Sequence, residues 1–119
     1  MDRLKPVIWV RASKKELKTF PRAVQRDICQ TLFTAQAGGR DPAAKPLKSF
    51  KGAMVMEIME SYRTDTYRVV YTVKFGEFVF VLHAFQKKSK SGIKTPKGVI
   101  DLIKQRLAEA RQIWQEMNQ

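Results

Sequence analysis

The sequence predicts a single α+β domain in which helices cover a mainly antiparallel, four-stranded sheet. Three observations lead there. Apolar and β-branched runs at Met54–Met59, Thr66–Val73 and Phe78–Phe85 follow one another closely, as the strands of a meander do. Apolar residues at helical spacing flank them on both sides. Finally, 119 residues with 44% hydrophobic content supply one modest core and leave no room for a second domain, so 1–119 is read as one unit.

In chain order, Val7-Ile8-Trp9-Val10 is β-branched and aromatic and predicts the first strand. Ser13 and Glu16 stand at the spacing of a capping box, so a helix is expected to start at Ser13. Phe20-Pro21 interrupts it, because proline disfavours helical geometry in the preceding residue and suits the first turn of a new helix. Leu17, Val24, Ile28, Leu32 and Ala35 keep helical spacing across the break, and Gly38-Gly39 ends the pattern. An N-terminal helical hairpin or one kinked helix follows from this.

Pro42, Pro46 and Gly52 mark 40–53 as an irregular connection. The last two strands of the meander are joined by Lys74-Phe75-Gly76-Glu77, short enough for antiparallel neighbours. Phe78–Phe85 is apolar on both alternating faces, which predicts the sheet centre with both sides covered. Thr95-Pro96 predicts the start of a C-terminal helix, threonine capping and proline in the first turn. Val99, Ile103, Leu107, Ala110 and Trp114 give that helix one apolar stripe.

Lysine and arginine number 23 against 11 acidic residues, a formal net charge of +12. Such an excess concentrates polyanions around a protein, so nucleic acid or an acidic protein partner is expected. One cysteine, Cys29, allows no intrachain disulfide, and one histidine, His83, allows no closed zinc site of the usual kind. No metal or other cofactor is expected. Met1-Asp2-Arg3-Leu4-Lys5-Pro6 lacks the apolar core of a secretory signal, and Phe78–Phe85 is far shorter than the roughly 20 residues of a membrane helix. A cytoplasmic protein with no membrane partner is expected. Gly-rich phosphate loops, serine elbows and paired-carboxylate motifs are lacking.

Between Glu77 and Asp101 no acidic residue occurs, while Lys87, Lys88, Lys90, Lys94 and Lys97 crowd the loop that leads to the last helix. This is a phosphate-binding surface at the end of a buried strand, against the plain alternative of a solvated lysine-rich loop. Arg68 stands among Tyr67, Val69, Val70 and Tyr71, a costly place for a charge unless it meets an anion or opens onto a groove. Its structural alternative is an ion pair with Glu57 or Glu60 on the neighbouring strand. His83 suits general acid or base work because its unperturbed pKa lies near neutrality; the alternative is a satisfied core histidine. Trp9, Trp114 and the methionines read as packing, and Cys29 as a small buried apolar residue.

Several segments taken together resemble a known family. Lys45-Pro46-Leu47-Lys48, Phe50-Lys51-Gly52, Tyr67-Arg68-Val69-Val70-Tyr71, Leu82-His83-Ala84-Phe85-Gln86-Lys87-Lys88-Ser89 and Thr95-Pro96 occur in the order found in phage-derived HigB-type toxins of the RelE superfamily. The resemblance spans nearly the whole chain. It implies a RelE-like fold with a concave RNA face, ribosome-dependent cleavage of mRNA, and neutralisation by a HigA-like antitoxin carrying a helix-turn-helix domain. By position, Arg68 is the strand arginine, and Lys87 with Lys88 is the basic pair after the central strand. Relatives often carry further basic residues on the strand that here holds Glu57 and Glu60, and arginine near Met59.

The implied chemistry is in-line attack of a ribose 2′-hydroxyl on the adjacent phosphate, with Arg68, Lys87 and Lys88 stabilising the developing charge. His83 or a lysine of lowered pKa would move the proton. Lys90, Lys94, Lys97 and Arg63 are the further candidates for RNA contact. Two other readings share the surface features: a ParE-like toxin that inhibits DNA gyrase without cutting nucleic acid, and a plain RNA-binding module. Retention of Arg68 with the lysine pair favours the nuclease, and the scarcity of exposed stacking aromatics disfavours the plain module.

Overall fold

The computed structural model describes residues 3–50, 52, 54–87 and 95–118. Among them, five strands form one mixed sheet: β1 (Val7–Trp9), β2 (Ala44–Pro46), β3 (Val55–Tyr62), β4 (Asp65–Thr72) and β5 (Val79–Lys87), in the spatial order β1-β5-β4-β3-β2. The helices are α1 (Ser13–Leu17), α2 (Arg22–Gln36) and α3 (Lys97–Met117). The meander is present as expected, β3 and β4 pairing antiparallel from Val55↔Thr72 to Tyr62↔Asp65. Their two-residue turn is Arg63-Thr64, with Arg63 at a φ of 58°, the positive φ that tight hairpin turns call for.

The sheet departs from the four-stranded expectation in three respects. β2 lies in the stretch read as irregular, pairing Lys45 with Glu57 at the sheet edge, where a proline does no harm to the ladder. Its three residues are too few to carry a period. β1 runs parallel to β5, Val7 opposite Val79, a long-range pairing that local patterning does not encode. β4, rather than β5, is the middle strand, although β5 is covered on both faces.

The helices differ in detail as well. α1 packs on β5, and α2 on β3 and β5, so the two do not form the expected hairpin. Ala12 occupies the N-cap of α1 without a side-chain hydrogen bond. Ser13 is buried inside the helix, and Glu16 turns to β5 instead of closing a capping box. α2 stops as predicted: Gly38, at a φ of 92°, donates to the Ala35 carbonyl, and Gly39 donates to that of Thr34, the paired bonds of a Schellman ending. α3 starts at Lys97 with Pro96 as N-cap, which leaves the Thr95 hydroxyl for another task. Cys29 faces solvent; on α2 it stands opposite the buried stripe of Val24, Ile28 and Leu32.

Each face of the sheet has its own core. Ile58, Tyr67, Val69, Val79 and Val81 pack against Val24, Ile28, Leu32 and Ala35 of α2. On the other face Val55, Val70, Phe80 and Leu82 pack with Ile103 and Ala110 of α3 and with Phe50 and Phe75. Trp114 stacks on Phe75 and closes over Gly76, where a Cβ would stand 2.6 Å from the indole Nε1.

One irregularity places a polar cluster. Val70 pairs with His83 but Tyr71 pairs with Val81, so Leu82 is an extra residue on β5. A bulge of this kind re-aims side chains, and Leu82 and His83 both turn toward α3.

Candidate functional site

The strand registers arrange one face of the sheet in rows. Lys45, Glu57, Val70 and His83 stand side by side; next come Met59, Arg68 and Phe85; then Ser61, Thr66 and Lys87. Alternation along each strand keeps these side chains on the α3 side. α3 covers one end of the face, and the other end opens past Met59, which is exposed.

Arg68 is buried, its side chain 3% exposed. Nη1 donates to Glu57 Oε1 at 3.2 Å and approaches Thr95 Oγ1 at 3.5 Å, while the Thr95 hydroxyl donates to Glu57 Oε2 at 3.1 Å. Each oxygen of the Glu57 carboxylate is therefore held by one donor. In front of this group lies a cleft of about 670 Å³ lined by Lys45, Lys48, Glu57, Met59, Thr95 and Ile100, among others. Arg68 lies behind the carboxylate, away from the cleft wall. The partner foreseen for it in the structural alternative is present, and it is Glu57; Glu60 pairs with Tyr67 and faces the other side.

A second polar cluster sits at the bulge. His83 Nδ1 is 2.9 Å from Glu16 Oε1, and Arg106 Nη1 donates to the same oxygen at 2.9 Å and to the Leu82 carbonyl at 2.9 Å. Arg106 Nη2 reaches Glu16 Oε2 at 3.1 Å, and the Ala84 N–H donates to Glu16 Oε1 at 3.2 Å. β1 ends opposite Val81, so the Glu16 carboxylate continues the edge of β5 where strand pairing stops. Burial pushes the Glu16 carboxyl up, but hydrogen bonds from Arg106, His83 and Ala84 outweigh it and hold the group below the ordinary carboxylate range. Burial holds His83 below the ordinary imidazole value, Glu16 opposing and Arg106 adding to the effect. His83 also stacks on Phe85. The geometry is that of a satisfied core histidine rather than of an acid or base facing a substrate.

Lys87 ends β5 on the same face as Arg68, paired in register with Thr66. Lys97 opens α3 and is exposed. Arg63, in the β3–β4 turn, sits over the Tyr62 ring at 5.4 Å, at the far end of the hairpin. Lys88, Lys90 and Lys94 lie outside the described residues. Sequence reasoning missed Glu16, Thr95 and Arg106 as cluster members, and Lys45 and Lys48 as cleft cations. Only for Glu57 was there a signal, an acid on the strand next to Arg68. Among the described residues no three His, Cys, Asp or Glu side chains converge as a metal site, and no helix is long and apolar enough to cross a membrane.

A model of the phage-derived Gp49-like proteins matches residues 15–108. The chain belongs to the Gp49-like family. The matched segment runs from α1 into α3 and holds both polar clusters, Glu16 with His83 and Arg106, and Glu57 with Arg68 and Thr95. β1, the first two residues of α1 and the end of α3 fall outside the Gp49-like region. Among solved structures, the chain is similar to a chain of the RelBE2 toxin–antitoxin complex of Mycobacterium tuberculosis, at 17% identity and a TM-score of 0.47, over 75% of this chain and 98% of that one. No curated protein sequence matches it.

Proposed function

We propose that the protein is the toxin of a toxin–antitoxin pair, of the HigB type within the RelE superfamily, and that it cuts mRNA on the ribosome without a metal ion. The observation that carries this reading is the cleft: a hollow of about 670 Å³ with Lys45 and Lys48 on its wall and the Glu57–Arg68–Thr95 group at its side. Membership of the Gp49-like family and the net charge of +12 support it.

RNA enters along the open end of the face, drawn by the cationic rim of Lys45, Lys48, Lys87 and Lys97, to which Lys88, Lys90 and Lys94 add charge in the intervening chain. The 2′-hydroxyl attacks the neighbouring phosphorus, the bond to the 5′-oxygen breaks, and a cyclic phosphate and a free 5′-hydroxyl result. The phosphorane gains negative charge on the way, so lysines held at the cleft wall stabilise it more than the starting diester. Arg68, sealed behind Glu57, serves by fixing that carboxylate rather than by touching phosphate. A helix-turn-helix antitoxin of the HigA kind, attracted by the same positive surface, silences the toxin, and the substrate puts the pair in the cytoplasm.

The test is purified protein added to a cell-free translation reaction, with cut sites mapped by primer extension. Cleavage is expected with ribosomes and not without them, and a 2′-deoxy nucleotide at the scissile position should block it. Intact mRNA under growth-arresting amounts of protein would turn the reading toward a toxin that is not a nuclease.

A further inference from the structure

We infer that Glu57 is the base that takes the proton from the attacking 2′-hydroxyl, a role that rests on the RNA-cleaving reading above. The first argument is geometric. In RNA the 2′-oxygen and the neighbouring phosphate are adjacent, so the group that accepts the proton and the cations that hold the phosphate must stand side by side. Glu57 pairs across the β2–β3 ladder with Lys45, and both line the same cleft with Lys48.

The second argument is one of elimination among the described residues. Glu57 is the sole carboxylate lining that cleft. His83, the residue that sequence alone favours for proton transfer, is engaged by Glu16 and Arg106 and stays clear of the cleft wall.

The third argument is capacity. A carboxylate has about four acceptor positions, and Glu57 uses one for Arg68 and one for Thr95. It is thus aimed by two donors and still free to accept another hydrogen. In the step itself, the 2′-O–H proton passes to the carboxylate as the 2′-oxygen bonds to phosphorus. The P–O5′ bond breaks, and the departing oxygen takes a proton from water. Glu57 then returns its own proton to solvent. Arg68 acts through Glu57, as a positioning residue.

Single-turnover cleavage of a defined mRNA on ribosomes, followed from pH 5 to 8, tests this. Glu57→Gln keeps an acceptor for Arg68 and offers Thr95 an N–H but cannot take the proton, so its rate should fall about a hundredfold or more, compared with wild type below the melting temperature that the loss of the ion pair lowers. Among the described residues, the charged groups facing Glu57 are Lys45 of β2, Lys48 of the following turn and Arg68 of β4.

Measured well below both melting temperatures, Arg68→Met should slow cleavage and Arg68→Lys, which returns a donor to Glu57, should restore part of the rate; equal rates in the two would mean that Arg68 does not act through the carboxylate. Should Glu57→Gln fail to fold, Glu57→Asp keeps the charge but draws the carboxylate back by one methylene, and an undiminished rate there would overturn the assignment. So would Glu57→Gln cutting within threefold of wild type at every pH. Wild-type protein that cuts no RNA would remove the nuclease reading and this one together, whereas cutting by wild type and Glu57→Gln alike removes this one alone.

Discussion

Glu16 and Glu57 are each held by one arginine and one further polar side chain, yet the two carboxylates do different work. Glu16 takes donors from α3, from the side chain of β5 and from its backbone, four contacts in the structure with His83, Ala84 and both Arg106 nitrogens. That crowds three donors onto Oε1 and one onto Oε2 and ties α1, β5 and α3 together. Glu57 takes two contacts and faces a cleft. Exposure does not separate them, since the Glu16 side chain is 24% exposed and that of Glu57 11%. What separates a clasp from a reactive group here is the number of acceptor positions left over.

The largest effect expected from breaking this contrast is on the clasp. Arg106→Ala strips Glu16 of two donors and leaves the Leu82 carbonyl unmatched, so it should cost about 3–5 kcal/mol of stability, as breaking a buried ion pair does. Urea unfolding followed by circular dichroism measures it, and a loss below about 1 kcal/mol would mean that Glu16 and Leu82 are served by water.

A double replacement sharpens the comparison. Arg68→Met alone should cost about 3 kcal/mol by leaving Glu57 unpaired. Adding Glu57→Leu should recover most of it, because an apolar pair of similar volume often replaces a buried ion pair without loss, while RNA cleavage stays abolished. The matching Glu16→Leu, Arg106→Met pair should recover little, since His83 Nδ1, the Ala84 N–H and the Leu82 carbonyl all lose partners. Equal recovery at both sites, read from unfolding curves, would erase the distinction.

Acid should act on the clasp more gently. Both Glu16 and His83 are held below their ordinary values of 4.5 and 6.5, so the unfolded chain binds more protons than the folded one as pH falls. The stability they contribute is fully present above pH 6.5 for His83 and above 4.5 for Glu16, and is lost as pH drops through the lowered folded values. The melting temperature should fall on acidification from pH 7 to 4, and His83→Gln should flatten that dependence, since it removes one of the two groups and relaxes the other. A steeper dependence in the variant would overturn the assignment. The smallest effect belongs to the cleft rim: Lys45→Ala with Lys48→Ala should change stability by less than about 0.5 kcal/mol. The same pair should lower the slope of log affinity against log salt for RNA binding by about two.

The meander, the stop at Gly38 and the class of the fold were legible because each is written in neighbouring residues. Apolar and β-branched runs mark β3, β4 and β5, and a glycine marks a left-handed helix end. The partners of β1 and the short β2 were not legible, since three residues hold no period and parallel pairing depends on residues about seventy positions away. The site was half legible. Arg68 stood out because a charge inside an apolar strand needs an anion, and Glu57 was one of its two named partners. Arg106 and Glu16 looked like ordinary charges on helices, because a Leu82 bulge, invisible in the pattern of β5, is what turns His83 toward them. Thr95 was read as a cap, and Pro96 took that place.

The parallel ladder between β1 and β5 sets an order of events during synthesis. The chain emerges from its N-terminus, and β1 then has no strand to pair with until Val79–Val81 has appeared; Glu16 waits a further stretch, its arginine standing 90 positions on. Contacts of such long range form late and slowly, so the nascent protein stays open until most of its length has left the exit tunnel. A reading frame cut short before Arg106 would lack the closing partner of Glu16 and of the Leu82 carbonyl. Most nonsense changes in the gene are thereby changes that leave the fold unclosed, and truncation almost anywhere along the message removes a contact that the whole domain needs.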